Sequence, residues 1–291
     1  MKERAAIPRR ARFAFTAAAM LAFAANSLLC RLALAGASID PASFGAVRVV
    51  AGAFALALIV RWRAGAGSST SVGANGDWLS AAMLFGYVAF FSFAYVSLSA
   101  GTGALILFGA VQLTMFGWAL RRGERFALSA WCGLGLAAAG LVYLVLPGVS
   151  APPLVGAACM ALAGAAWGAY SLRGRGTPDP LRATAGNFLR AAPMALVLWL
   201  PFAGVAHADP TGVVLAVVSG ALTSGVGYAL WYSALRELTA MRAATVQLSV
   251  PLITAFAAVL FLAEPVTPRL VLASVAILGG IALVLARRST V

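Results

Sequence analysis

The sequence predicts an all-α polytopic membrane protein, ten transmembrane helices arranged as two inverted five-helix repeats. Three observations predict it. The 291 residues are 62% hydrophobic and only 10% charged, whereas soluble domains carry about 25% charged residues. Apolar runs near the roughly 20 residues that cross a bilayer recur along the whole chain. Finally, a gapless shift of 140 residues lays Ala94, Leu98, Ala100, Ala104, Thr114, Phe116, Glu124 and Gly140 on Ala234, Leu238, Ala240, Ala244, Thr254, Phe256, Glu264 and Gly280. In each copy an apolar run breaks at a short loop, resumes, stops at a lone Glu, and resumes with a glycine late in its last stretch. Met20 with Met160, and Asp40-Pro41 with Asp179-Pro180, keep nearly the same offset. The two repeats are thus expected at 1–148 and 149–291.

Ten spans follow in order: Phe13–Ala35, Ser43–Val60, Trp78–Leu98, Thr102–Leu120, Phe126–Leu146, Pro152–Leu172, Leu181–Phe202, Pro210–Leu235, Met241–Leu262 and Pro268–Ala286. They must be helices, because lipid offers backbone groups no hydrogen-bond partner and the runs lack the two-residue alternation of a membrane barrel. The basic N-terminus followed by an apolar stretch ending in Ala-Leu-Ala mimics a signal peptide. That stretch exceeds a signal core in length and is needed to match the second half, so it reads as span one. Ala64–Gly76, rich in Gly, Ser and Thr, reads as a flexible linker, and Gly174–Pro180 as a joint between the halves' moving parts.

Seventeen of the 21 Lys and Arg fall in the tails and in alternate connections. By the positive-inside rule this places both termini in the cytoplasm. Five spans per half is an odd number, so the second copy crosses in the opposite sense, with Glu124 on the cytoplasmic side and Glu264 outside. An inverted repeat around a midplane site is the architecture of alternating access.

The formal charge of +13 does not point to nucleic acid, since the Arg residues sit between apolar runs with no basic face or aromatic platform. Cys30, Cys132 and Cys159 lie in apolar runs without CxxC spacing and read as packing residues, so no metal and no cofactor is expected. The absence of a GxxxxGK[ST] phosphate cradle removes an ATP-driven engine. His207 reads as a solvated loop residue near Asp209. No nucleophile–base or paired-carboxylate constellation supports an enzyme. All eight acids map to tails, loops or helix ends, which argues against an intramembrane carboxylate relay.

Polar and aromatic residues inside spans are the candidates for a solute site. Asn26, Gln112, Asn187, Ser224 and Gln247 each cost free energy against lipid and so face a neighbour or a wet interior. Tyr87, Phe91 and Tyr95 share one helix face by i, i+4, i+8 spacing, and Tyr228 shares a face with Trp231. With Trp167 and Tyr170 they suggest a cavity of rings and amides suited to an aromatic or amphipathic solute. Trp62, Trp78 and Trp199 read as interfacial anchors. Arg31 is placed to snorkel outward. Arg48 and Arg190 read first as structural anchors, with backbone carbonyls, water, a distant acid or an anionic substrate group as possible partners. Gly103, Gly109 and Pro251 are the candidate hinges, Pro251 by kinking span nine and freeing a carbonyl.

The chain resembles the drug/metabolite transporter superfamily, in particular its EamA-type members with two five-helix repeats. The resemblance rests on Ala234-Leu235 through Ala240, Ala243-Ala244, Pro251, the Phe261-Leu262-Ala263-Glu264-Pro265 turn and Gly279-Gly280, with a fainter first copy ending at Gly123-Glu124. It implies ten helices around a central cavity and transport without ATP. Within the superfamily the chain is most similar to bacterial inner-membrane exporters of aromatic and other neutral amino acids. It departs in span one, where Asn26-Ser27 stand in place of a common Trp, whereas Trp167-Gly168 keeps it in the second half. The expected function is therefore inner-membrane export of amino acids or related metabolites, with spans one, three, four, six, eight and nine lining the path in a monomer. A proton-coupled multidrug exporter and a non-transporting membrane scaffold are the alternatives.

Overall fold

In the computed structural model, residues 9–64, 73, 75–124, 126–148, 150–174, 177–235 and 246–286 are described. Most of the linker expected at 64–76, and the motif positions at 236–245, lie outside them. So do Lys2, Glu3, Arg4, Arg125, Arg175, Arg287 and Arg288.

The helices run Arg9–Ala35, Pro41–Ala64, Trp78–Tyr95, Ala100–Arg121, Leu128–Val145, Leu154–Gly174 and Pro180–Trp199 for spans one to seven. Span eight is helical at Pro210–Val218 and Gly227–Leu235, with a wider π-helical stretch, Ser219–Val226, between them. Span nine is described as Ser249–Leu262 and span ten as Pro268–Ala286. Among the described residues, nine helices are long and apolar enough to cross a membrane, and Ser249–Leu262 is a shorter apolar tenth. Asp77, Ser99, Asp179 and Asp209 cap the starts of spans three, four, seven and eight by accepting a first-turn backbone N–H. These short polar side chains satisfy donors that would otherwise be stranded at the membrane boundary.

The packing carries the twofold relation that the repeat requires. Span three packs on spans six and seven, and span eight correspondingly on spans one and two; span four packs on span six, and span nine on span one. The pairs two–seven, four–nine and five–ten map onto themselves. Spans five and ten meet where Gly133 and Gly280 face each other, so closely that a Cβ on either would collide with the other's backbone carbonyl. Small residues give this backbone approach its van der Waals contact in lipid, where burial of apolar surface drives nothing. The outward faces are apolar (Phe54, Phe256 and Val275 are 67%, 72% and 68% exposed), as a lipid-facing surface must be. The buried polar residues gather inside.

Two sequence expectations change here, the kink at Pro251 and the packing of Cys132. Pro251 is the third residue of its helix, where its missing N–H falls among first-turn donors that have no intrahelical partner in any case. The interruption of span nine lies upstream of it, at Leu248. Span four passes through Gly103 and Gly109 unbroken; the missing Cβ at Gly103 makes room for the Tyr95 ring. Cys132 is exposed on the outer surface rather than packed inside.

Candidate functional site

The centre of the bundle holds a cavity of about 20 Å³ lined by Phe23, Asn26, Ser27, Tyr87, Phe91, Leu107, Phe108, Trp167, Thr223 and Tyr228. Roughly 10–15 Å³ on this measure admits one water, so the cavity is closed around less than a solute. Its walls are rings. Trp167 lies 4.9 Å from Tyr87 and 5.0 Å from Tyr228 between centroids, and Phe23 meets Trp167, Tyr228 and Trp231 edge-on at 6.1, 5.9 and 5.9 Å. Tyr87 meets Phe91 at a tilt at 5.3 Å, and Phe91 meets Tyr95 edge-on at 4.7 Å, along the shared face of span three. With Phe108, five spans from both repeats thus contribute aromatic rings to one place.

One amide organises the polar side of the cavity. Asn26 donates from Nδ2 to the Tyr87 hydroxyl at 3.3 Å and accepts at Oδ1 from the Ser219 hydroxyl at 2.7 Å. Thr223 Oγ1 lies 3.1 Å from the same oxygen and donates to the Ser219 carbonyl at 2.7 Å. Ser219, Thr223 and Ser224 all belong to the π-helical stretch, whose i→i+5 bonding widens the helix and turns hydroxyls inward. Single π turns of this kind are frequent at functional sites.

Arg48 stands directly behind the cavity wall and is completely buried. Its Nη2 donates to the Tyr87 hydroxyl at 3.1 Å and its Nε to Ser224 Oγ at 3.2 Å. Its guanidinium carbon lies 5.2 and 5.0 Å from the centroids of Tyr87 and Phe91. Arg190 instead donates to the carbonyls of Gly73 and Gly186, the anchoring expected of it. Arg31, the third, is partly exposed near the end of its helix. It pairs with Glu264 at 3.3 Å and donates to the carbonyls of Tyr95 and Val96.

That ion pair belongs to a latch at one end of the molecule. Both Glu264 oxygens accept from the Ala100 N–H, at 3.0 and 2.8 Å, so a turn of the second half caps the fourth helix of the first. The turn is set by Ala263, which holds a left-handed φ of 51° at the end of span nine, a conformation that disfavours residues other than Gly and Asn. At the same end His207 is not merely a solvated residue. Its Nε2 lies 3.0 Å from the Ala37 carbonyl and its N–H donates to Asp40, clasping two connections together.

Towards the other end a second, polar hollow of about 40 Å³ is lined by residues including Asp77, Ser80, Tyr170, Arg173, Asn187 and Tyr232. Arg173 pairs with Asp77 at 3.0 Å and donates to Ser80 Oγ at 2.9 Å. Burial works against ionisation of Asp77, yet hydrogen bonds from Ser80 and the Arg173 charge outweigh it and hold its carboxyl below the usual range. Trp167 and Tyr170, with centroids 5.7 Å apart, form the partition between hollow and central cavity.

Of the residues expected at the site, Asn26, Tyr87, Phe91, Trp167 and Tyr228 line the central cavity. Tyr170 and Asn187 line the hollow instead, joined by a 3.4 Å hydrogen bond. Tyr95 lies beyond Phe91, its hydroxyl donating to the Ala100 carbonyl; Ser224 holds Arg48; Trp231 braces Phe23. Gln112 and Gln247 line neither space. Phe23, Ser27 and Thr223 were not expected. Phe23, Asn26 and Ser27 share a face at i, i+3, i+4, and Ser219 with Thr223 at i, i+4 interrupt an apolar run, so both signals were readable.

Residues 154–286 match the model of the EamA-like transporter family. An uncharacterized protein of Pseudomonas aeruginosa is 53% identical over 282 residues, which cover 97% of either chain. A protein known from its crystal structure, 21% identical, superposes with a TM-score of 0.66 over 97% of this chain and 100% of that one, a likeness of fold.

Proposed function

The chain belongs to the EamA-like transporter family, and from that premise we propose that this membrane transporter exports aromatic or other neutral amino acids, or closely related metabolites, across a bacterial inner membrane. Its two repeats, divided at 148/149, rock about the central cavity without ATP, in a monomer with both termini in the cytoplasm. The observation that carries the solute class is the cage of Phe23, Tyr87, Phe91, Trp167 and Tyr228 around the Asn26 amide. Flat rings at 5–6 Å offer edge and face contacts to another ring, and the amide network offers neutral polar groups to a short head group. A cavity of about 20 Å³ must expand to take such a solute. The π-helical stretch of span eight and the break before span nine are where the backbone gives way, more readily than at Gly103 and Gly109.

The test is counterflow in proteoliposomes loaded with unlabelled phenylalanine, tyrosine, tryptophan, leucine or lysine. Labelled phenylalanine should accumulate transiently against the aromatic and neutral amino acids and not against lysine. No counterflow with any of them would overturn the assignment, and flux that requires an imposed pH gradient and prefers organic cations would support the multidrug alternative.

A further inference from the structure

Three arginines, Arg31, Arg48 and Arg190, lie in the membrane-spanning helices away from their first and last turns, and two of them have partners suited to a cation. Arg31 has Glu264 and two carbonyls, and Arg190 has two carbonyls. Arg48 has neither a carboxylate nor a carbonyl among the described residues. Its hydrogen-bond acceptors are two neutral hydroxyls, and its guanidinium lies against the rings of Tyr87 and Phe91. One of its nitrogens, Nη1, is buried without a partner, and so is the hydroxyl of Tyr228. Tyr87, Phe91 and Tyr228, the three rings around this charge and this orphaned hydroxyl, all line the central cavity.

A buried cation without a counter-ion is costly, more so in a membrane, and such residues mark solute or ion pathways. Neighbouring acids do not repair it. The described acids, Asp40, Asp77, Glu124, Asp179, Asp209 and Glu264, all stand at helix ends or in connections. Among the described residues the interior therefore offers a positive charge with open donors and no negative charge to set against an ammonium.

We propose that Arg48 is the recognition residue for a carboxylate on the transported solute, and that the solute's amino group is not recognised by charge. The substrate class is then the aromatic monocarboxylate, with or without an α-amino group, and aromatic amines are excluded. The guanidinium fork matches a carboxylate with two donors in one plane. Nη1 and the Tyr228 hydroxyl supply the donors left open, while Ser224 and Tyr87 hold the fork in place. This assignment rests on the transport reading above but makes a distinct claim about which end of the solute is read.

The experiment compares 3-phenylpropanoate, phenylalanine, phenylalanine methyl ester and 2-phenylethylamine as competitors of phenylalanine counterflow and as ligands in thermal-shift titrations. In the wild type the two carboxylates should bind within about threefold of each other, and the ester and amine at least tenfold more weakly, about 1.4 kcal/mol. Arg48→Met should abolish the difference between acid and ester while the protein stays folded and monodisperse. Arg48→Lys should restore part of it. A Met variant that keeps the acid-over-ester preference, or an amine that binds as well as the acid, overturns the proposal. If phenylalanine counterflow fails altogether, the transport reading falls. Arg48-dependent stabilisation by 3-phenylpropanoate would then uphold the carboxylate site, and its absence would overturn it.

Discussion

Trp167→Ala is expected to cut phenylalanine counterflow at least tenfold. The indole is the shared wall of the central cavity and the partition towards the polar hollow, with Tyr87, Tyr170, Tyr228 and Phe23 all within 6.1 Å between centroids. Each aromatic pair contributes about 0.5–1.5 kcal/mol beyond its area. Losing the equivalent contacts to a bound ring, two faces at once, accounts for a tenfold loss, about 1.4 kcal/mol. The substitution also opens a void in a packed centre, which costs about 3–5 kcal/mol of stability. Trp167→Phe therefore serves as the companion: it keeps a ring in place and should retain fold and expression while losing only severalfold in flux. Equal flux in wild type and both variants, at equal amounts of protein in the membrane, would place the path elsewhere.

Glu264→Ala should open the end of the molecule that carries the latch. The carboxylate supplies the acceptors for the Ala100 N–H and for Arg31. Hydrogen bonds to a charged group are worth about 1.5–3 kcal/mol each. The Arg31 pair is partly exposed, at 23% and 13% side-chain accessibility, and adds less because solvent screens it. A net loss of about 2 kcal/mol shifts a two-state population about thirtyfold. The readout is maleimide labelling of Ser27→Cys, a cavity-lining position, in a protein whose three native cysteines have been replaced. Labelling should accelerate about tenfold or more in Glu264→Ala, and less in Glu264→Gln, which keeps one acceptor. Unchanged rates would mean that the latch closes nothing. The counterpart in the first repeat, Glu124, is exposed at the opposite end. One engaged acid and one exposed acid is the asymmetry expected when a twofold-related machine is closed on one side.

How much of this was legible in the sequence follows from the range of the interactions. The helices were readable because each span carries its own apolar run and several carry their own capping residue, as with Asp77 before Trp78 and Asp209 before Pro210. The repeat was readable from landmarks such as Glu124 and Glu264. The ring cage was readable in part, because Tyr87 and Phe91 share a face at local spacing. What local spacing does not carry is which helices meet. The bond from Arg48 to Ser224 spans 176 positions and that from Asn26 to Ser219 spans 193, so a reading of Arg48 as an anchor near its helix end was open to revision. Glu264 reads as punctuation until its carboxylate is found on Ala100, across 164 positions. The π-helical stretch has the small polar sequence Ser-Gly-Ala-Leu-Thr-Ser-Gly. That composition tolerates a widened helix but does not require one; what local sequence does not show is that its hydroxyls meet Asn26 and Arg48 on neighbouring spans.

The measurement that reaches the central claim most directly is topological, since a solute path at the seam depends on two five-helix units inserted in opposite senses. Single cysteines at Glu124 and Val266, in the background without native cysteines, would be labelled in intact cells with a membrane-impermeant maleimide and again after permeabilisation. Opposed insertion requires labelling of the Val266 site in intact cells and of the Glu124 site only after permeabilisation. Both sites responding from the same side would contradict it.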